Sequence, residues 1–250
     1  MKAKVTGAFS KGVKISMRVV MFIAIIALLG CGGKGDKPES KGSAEEKDAF
    51  LSRPGHLVII GEDLSGTFSD FPPTTEDNLK SLCEGLSKSK DGGKVYFIGI
   101  GNASPKGYAV CEIRPIHPID SGATVSLIKK TKTQNLGIKK RNKENIEQFL
   151  ADAAQIFSQR NQRNTDINGL LDKACSIIDD PAYGKFKKWL FINSDGKQDT
   201  KSSNKVDCSL LSGVDQFFVS RGWKSNINCQ ANGKLLDTQH FVNQLFQDAE

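Results

Sequence analysis

The sequence lacks the residue spacings that mark the common zinc and dinucleotide sites. Its three histidines are far apart, and it has no Cys-x-x-Cys or His-x-x-Glu-His pattern, so the usual zinc sites are not expected. Gly99 and Gly101 are not followed by a third glycine at the fingerprint spacing, which argues against a dinucleotide-binding loop. The longest apolar run, residues 19–29, has eleven residues, whereas a transmembrane helix needs about 20.

The positive charge of the chain does not indicate a nucleic-acid partner, because most of the excess lies in the first 30 residues. The 250 residues are 38% hydrophobic and 25% charged, and the formal net charge is +7. Five of the 35 basic residues lie in residues 1–30, which contain no Asp or Glu. The remainder has 30 basic and 28 acidic side chains, a balance typical of a globular domain that does not bind nucleic acid.

The first 30 residues have the pattern of an export signal. A basic stretch is followed by the apolar run at 19–29, and Leu-Leu-Gly-Cys follows at 28–31, as in a signal peptide. This ending resembles the lipobox of bacterial lipoproteins. The resemblance implies cleavage after residue 30, diacylation of Cys31 and a lipid-anchored location in the cell envelope; the alternative is a simple membrane anchor with an incidental cysteine. Residues 31–52 are predicted to form the lipidated cysteine and a flexible tether, because 32–48 contain no large apolar residue.

The remaining residues, 53–250, alternate between strand and helix patterns. Continuous apolar runs predict buried strands, as in a parallel sheet covered on both faces, and the run at 108–113 is predicted to be an edge strand. We therefore expect one α/β domain with a doubly wound, mostly parallel sheet flanked by helices. The stretch 114–143 contains two prolines and a basic run, and it is predicted to be irregular. The predicted strands are 57–60, 95–100, 108–113, 189–192 and 214–219, and the predicted helices are 74–86, 144–160, 167–178 and 238–246.

Oxygen-bearing side chains follow two of the predicted strands and precede one helix. Asp63, Ser65 and Thr67 leave the first strand at i, i+2 and i+4, Thr165 precedes a helix, and Asp195 follows the strand at 189–192. Since ligand sites in such sheets lie at the carboxyl ends of the strands, we expect these side chains to converge. Neutral hydroxyls with few carboxylates suit a hard cation, Mg²⁺ first and Mn²⁺ or Ca²⁺ as alternatives.

The same set resembles the metal-ion-dependent adhesion site of von Willebrand factor A domains. The resemblance covers Asp-x-Ser-x-Thr at 63–67, NTDINGLLDKA at 164–174 and LFINSDGK at 190–197, with Thr where the family usually has Ser at position 67. It implies that Ser65, Thr67 and Thr165 bind the metal directly and that Asp63 and Asp195 act largely through water. It further implies a position open to a carboxylate of a protein partner, and therefore binding rather than catalysis. The alternative within the family is a scaffold domain whose metal site is unused.

Two further segments carry alternative interpretations. Asp-Ser-Gly-Ala-Thr at 120–124 resembles the active-site loop of retroviral-type aspartic proteases, in which two such loops share a proton. This enzyme hypothesis would depend on Asp120 and on a homodimer. The basic run 129–143 is predicted to be a solvated loop and helix start; it could also attract an acidic partner or anionic headgroups.

The five cysteines that follow the lipobox allow disulfides, since export permits oxidation. Cys208 and Cys229 flank a predicted strand and are the preferred pair, and Cys83 with Cys111 is the alternative. Cys175 lies on the apolar face of a predicted helix and is expected to be a buried core thiol. Spacing alone does not settle the pairing.

Overall fold

The structure is a computed structural model that describes six stretches of the chain, which are residues 53–66, 72–101, 107–160, 162–198, 208–223 and 231–247. The predicted leader, Cys31 and tether lie outside the described residues, as do Thr67 and Cys229, so these assignments stay predictions. In the described stretches, no helix combines the length and apolarity needed to cross a membrane.

One sheet of six strands organises the described residues. The strands follow the order β3-β2-β1-β4-β5-β6, and every neighbouring pair is parallel except β2 with β3. The prediction of a mostly parallel, doubly wound sheet with 108–113 at its edge is therefore confirmed. The strands are β1 (Gly55–Asp63), β2 (Gly93–Ile100), β3 (Tyr108–Ile113), β4 (Phe186–Asn193), β5 (Gln216–Ser220) and β6 (Gly233–Leu235).

In the described part of the chain, four α-helices cover the two faces of this sheet. Alternate residues of β1 enter different cores, since Val58 and Ile60 belong to one cluster and Leu57 and Ile59 to the other. The first, second and fourth helices contribute to the Val58 cluster, whereas the third contributes to the opposite one. The helices are α1 (Glu76–Lys88), α2 (Val125–Phe157), α3 (Ile167–Ile178) and α4 (Thr238–Gln247).

Helix α2 corrects the prediction that 114–143 is irregular. It has 33 residues and begins at Val125, after the N-cap Thr124, so the whole basic run at 129–143 lies on a helix and not in a solvated loop. The helical pattern was hidden because Asn135 and Asn142 occupy inward positions, where they are 7% and 3% exposed. Polar residues at positions that face the core interrupt the apolar period from which a helix is inferred.

The cysteines also differ from expectation in one case. Cys175 is only half-buried, so the prediction of a core thiol at this position is wrong; its neighbour Ala174 faces the core instead. Cys83 and Cys111 are fully buried thiols, and their hydrogen bond, together with burial, raises the pKa of the Cys83 thiol. Cys208 lies in a short 3₁₀ turn, but its side chain is outside the described part of the structure, so the pairing with Cys229 stays a prediction.

Candidate functional site

The candidate site lies where the two central strands end. Strands β1 and β4 are parallel neighbours, and Glu62 is paired with Asn193 at the last step of their ladder. The following residues, Asp63 and Ser194, therefore leave the sheet side by side at its carboxyl edge. This edge is where α/β sheets hold their ligands.

Asp63 is the centre of the site. Its carboxylate is 2% exposed, and its Oδ1 accepts hydrogen bonds from the backbone N–H of Ser65 at 2.8 Å and from Thr165 Oγ1 at 3.2 Å. Its Oδ2 accepts from Ser194 Oγ at 2.7 Å, and the Ser65 side chain also bonds the carboxylate. Hydroxyl groups from three separate segments thus converge on one buried carboxylate.

Backbone pairing brings these segments together. The N–H of Leu64 donates to the carbonyl of Ile100 at 3.0 Å. Beyond it, Gly66 and Gln162 bridge the loop to the segment before α3, with Gly66 N to Gln162 O at 3.1 Å and Gln162 N to Leu64 O at 2.9 Å. This two-bond bridge holds the Ser65 loop beside Thr165, so the approach of the two hydroxyls is fixed by the main chain.

The electrostatics of the site favour a cation. Burial raises the pKa of Asp63 above its ordinary value against the lowering effect of its hydrogen bonds, and the charge of Asp195 adds a smaller upward contribution. Asp195 is itself 4% exposed, and Lys197 Nζ lies 3.6 Å from its Oδ2. The charge of Asp195 disfavours the ionised form of Asp63, and a cation placed between the two carboxylates would relieve this repulsion.

A tight turn fixes the second carboxylate. Asp195 Oδ1 accepts the backbone N–H of Lys197 at 3.0 Å, and Gly196 has a φ of 78°, a conformation that favours glycine. A Cβ at Gly196 would approach the Trp223 ring to 2.7 Å. The glycine is therefore required both by the backbone conformation and by the indole that packs against the turn.

Four of the five predicted ligand residues lie in described segments. Asp63, Ser65 and Thr165 are in direct contact, and Asp195 is close enough to act on the charge of Asp63. Thr67 lies outside the described residues. Ser194 was missed as a site residue although it precedes Asp195 in the Ser-Asp-Gly turn; a serine one residue beyond a central strand was the signal available in the sequence.

A second buried carboxylate was also missed. Glu62 is 0% exposed and accepts from Thr74 Oγ1 at 2.6 Å, Asn193 Nδ2 at 3.0 Å and Arg160 Nη2 at 3.2 Å. The backbone N–H of Thr74 adds a fourth donor at 3.2 Å. Burial outweighs these donors and raises the pKa of Glu62 to about 7.

The two adjacent carboxylates use opposite faces of the sheet. Glu62 accepts a hydrogen bond from Asn193, and Asp63 accepts one from Ser194. Successive side chains of a strand point to opposite faces of the sheet, so the first pair lies on one face and the second pair on the other. Glu62 is linked to Arg160, three residues after α2, and Asp63 to Thr165 before α3. Asn193 Oδ1 is the one buried side-chain oxygen or nitrogen in the described segments without a hydrogen-bond partner.

The donor set around Asp63 fits a hard divalent cation. A hydroxyl has one hydrogen and two lone pairs, so Ser65 and Thr165 keep lone pairs available as ligands while their hydrogens point to Asp63. Neutral oxygens of this kind suit Mg²⁺, Mn²⁺ or Ca²⁺. Among described residues, no group of three or more His, Cys, Asp or Glu is arranged to hold a metal, so any metal would depend on the hydroxyls.

Asp120, the centre of the enzyme hypothesis, lies in an exposed turn before α2. Its Oδ1 accepts the backbone N–H of Gly122 at 2.8 Å, the usual arrangement of an Asx turn. The turn belongs to a different part of the chain from the strand ends that carry Asp63 and Asp195.

Comparisons with known proteins find solved structures that are similar to this chain, but no similar sequence family. No family model matches the chain, and no curated protein matches it in sequence. A pilus adhesin, SpaC of Lactobacillus rhamnosus GG, is 16% identical over 58% of this chain and 15% of its own, with a TM-score of 0.34. The manganese-loaded TRAP protein of Plasmodium vivax is 14% identical over 78% of this chain and 63% of its own, with a TM-score of 0.37.

An aerotolerance-related membrane protein of Bacteroides fragilis is also similar, with 14% identity over 78% of this chain and 98% of its own and a TM-score of 0.39. The chain thus spans less than two thirds of the adhesin and of TRAP. At these identities and TM-scores, no function is transferred from the three proteins, and the α/β fold class rests on the sheet and helices themselves.

Proposed function

We propose that this chain is a membrane-anchored envelope lipoprotein whose von Willebrand A-like domain binds a protein partner through a divalent cation. The observation that carries the proposal is the convergence of the Ser65, Thr165 and Ser194 hydroxyls on the buried carboxylate of Asp63. Asp195 supplies a second carboxylate nearby, and Thr67 completes the ligand set by its position in the sequence. Mg²⁺ is the preferred ion, with Mn²⁺ and Ca²⁺ as alternatives.

The proposed chemistry follows from the weak charge compensation of such a site. A divalent cation bound by neutral hydroxyls retains much of its positive charge, and it would attract a carboxylate from outside. An Asp or Glu side chain on a partner protein is the simplest such ligand. In this role Asp63 orients the hydroxyls, and the buried turn at Asp195 limits the access of water.

We propose a binding role and no catalytic one. The enzyme alternative needs Asp120 to share a proton with a second copy of itself, yet its carboxylate is engaged by Gly122 in an exposed turn. The second alternative, a scaffold that does not use its metal site, differs from the proposal only in metal dependence. Metal binding is therefore the measurement that separates the two.

The test measures metal binding by the purified full-length chain and two variants. Titration calorimetry and thermal unfolding are recorded with Mg²⁺, Mn²⁺ and Ca²⁺. A ligand that binds only the folded state at 100 times its Kd stabilises it by about 2.7 kcal/mol. We expect Asp63→Ala to lose this increment while remaining folded, because Asp63 is not a member of either hydrophobic core.

Asp120→Ala is the matched control, since it also removes one carboxylate and should leave metal binding unchanged. The absence of heat and of a thermal shift with all three ions in the parent would refute the metal site and leave the scaffold alternative. Loss of a peptide-cleaving activity in Asp120→Ala would instead support the enzyme alternative.

The anchor is tested separately. Cys31→Ser should either release the chain from membranes or accumulate it as an uncleaved precursor, because acylation and cleavage both require the cysteine. Membrane fractionation and gel mobility report the two outcomes. If the variant fractionates and migrates as the parent does, the lipoprotein assignment is wrong while the metal proposal is unaffected.

A further inference from the structure

The start of α2 carries much of the exposed apolar surface of the described residues. Six large apolar side chains are exposed among the described residues, and four of them lie between 119 and 136. They are Ile119, Val125, Leu127 and Leu136, with exposed fractions of 45%, 84%, 52% and 67%. Single exposed apolar residues are ordinary, but a local concentration indicates a surface that contacts something.

The same segment concentrates positive charge. Residues 121–143 contain seven Lys and Arg and no Asp or Glu. Outside this segment and residues 1–30, the chain has 23 basic and 28 acidic side chains, so the rest of the domain is acidic on balance. The basic residues of the segment are Lys129, Lys130, Lys132, Lys139, Lys140, Arg141 and Lys143.

Helical spacing places apolar and basic side chains on one face. Val125, Lys129, Lys132, Leu136 and Lys139 follow each other at intervals of three or four residues within α2, which aligns them along one side of the helix. We call these five residues the basic-apolar face. All five are exposed.

Ion pairs do not neutralise this face in the described residues. The ion pairs of α2 lysines within the helix lie nearer its middle, from Lys140 to Glu144 at 3.9 Å and from Lys143 to Glu147 at 3.8 Å. Lys129, Lys132 and Lys139 make no ion pair with any described residue. Their charge is therefore available to an external anionic partner.

Two asparagines hold the face in place. Asn135 accepts from the backbone N–H of His117 at 2.9 Å and donates to its carbonyl at 2.9 Å. Asn142 does the same with Arg114, at 3.0 and 2.9 Å. Each side chain pairs with a backbone N–H and carbonyl in the way that a neighbouring strand would. The segment 114–117 is thereby attached to the inner side of α2. The face is preorganised before any partner arrives.

A groove runs beside the face as a result of this fastening. It has a volume of about 520 Å³ and is lined by Ile116, Ile119 and Leu136, with Lys132 and Lys139 also in its wall. Aliphatic side chains thus form part of the lining, and ammonium groups lie among them. Lysine stems can lie along such apolar surface while their charged ends reach the polar region of a membrane.

We propose that the basic-apolar face of α2 binds an anionic phospholipid surface. Interfacial helices combine lysines with exposed aliphatic side chains in this manner, and lysines near an anionic membrane are attracted electrostatically. The occupant is chosen by charge complementarity, because residues 121–143 carry seven basic and no acidic side chains, whereas the rest of the domain is acidic on balance. The contact is separate from the metal site and needs no lipid on Cys31.

The test places a tryptophan reporter on the face. Full-length Leu136→Trp is mixed with vesicles that carry brominated acyl chains. The vesicles consist of phosphatidylcholine alone or of phosphatidylcholine with about one third phosphatidylglycerol, an anionic lipid. We expect quenching and a blue shift with anionic vesicles only, and reversal at high salt because the Debye length shortens. Gln155→Trp, at the far end of the same helix and exposed, is the control reporter and should not respond. The native Trp189 and Trp223 are buried and give a constant background.

Charge variants complete the design. In the Leu136→Trp background, Lys132→Gln with Lys139→Gln should reduce quenching at least threefold, while Lys90→Gln with Lys185→Gln changes the net charge equally and should not. The proposal is overturned if Leu136→Trp stays unquenched, if neutral vesicles quench it equally, or if both reporters respond alike. A response to polyglutamate without a response to vesicles would assign the face to an acidic protein and also overturn it.

Discussion

Burial of Glu62 should make the stability of the domain depend on pH in an unusual direction. The pKa of Glu62 rises from 4.5 to about 7 in the folded chain, so the folded state holds this proton more tightly than the unfolded state does. Its stabilising contribution is complete below pH 4.5 and is lost progressively as the pH rises towards 7. A shift of this size corresponds to about 3 kcal/mol, at about 1.4 kcal/mol per pKa unit.

The perturbation that isolates this effect is Glu62→Gln. Glutamine keeps the size of the side chain but does not titrate, so the contribution of Glu62 to the pH slope disappears. The absolute stability will also change, because the amide nitrogen faces donors from Thr74, Asn193 or Arg160. The comparison must therefore be of slopes, not of single values.

The assay is urea unfolding of the full-length chain at several pH values between 4.5 and 7.5, with chelator present to exclude metal. The parent should lose about 3 kcal/mol more than Glu62→Gln over this interval. Glu84→Gln, an exposed position on α1, is the control and should keep the parental slope. Parallel slopes for the parent and Glu62→Gln would refute the argument that burial outweighs the four donors.

Three further predictions concern other parts of the domain. Lys197→Met should tighten Mg²⁺ binding about 1.4- to fivefold in titration calorimetry, because an exposed ion pair contributes about 0.2–1 kcal/mol and its cation competes with the metal; an unchanged Kd would contradict this. Asn142→Ala should lower the free energy of unfolding by about 1–3 kcal/mol, since it removes two hydrogen bonds and leaves the partly buried backbone groups of Arg114 unpaired. Gln134→Ala, on the exposed side of α2, should change it by less than about 0.5 kcal/mol, and equal losses would count against the fastening role. Cys175 should be alkylated in the native state faster than Cys83, because it is only half-buried; equal protection in mass spectrometry would restore the core assignment.

The sheet was predictable because its strands bury both faces. The apolar runs that became β1, β2 and β4 are continuous and short, and a half-polar strand or a helix would not show this pattern. The bounds of these three strands were predicted too narrowly. In β1 the ladder extends through Glu62, a residue that the sequence presents as the start of a loop.

The start of α2 could not be predicted from apolar periodicity. Its inward positions include Asn135 and Asn142, whose partners are the backbone groups of His117 and Arg114. These partners lie 18 and 28 residues away along the chain, so no local pattern announces them. The polar pair therefore looked like loop composition.

The candidate site also has residues that the sequence indicates and residues that it does not. Asp63, Ser65, Thr165 and Asp195 could be inferred because each stands next to a recognisable element boundary. The network of Glu62 could not, because its donors come from Thr74, Arg160 and Asn193 and meet only after the sheet has formed. Single polar residues that meet from distant parts of the chain produce no recognisable pattern in the sequence around each of them.

The opposite orientation of Glu62 and Asp63 has a consequence for how the domain tolerates change. Substitutions in the helices on the Val58 side are expected to disturb the surroundings of Glu62, whereas substitutions around α3 are expected to disturb those of Asp63. This holds although the two carboxylates are adjacent in the chain. A saturation mutagenesis screen should therefore return two sets of sensitive positions, one scored by pH-dependent stability and one by metal dependence. The two properties can then be tuned separately in a redesigned domain, with β1 as their common support.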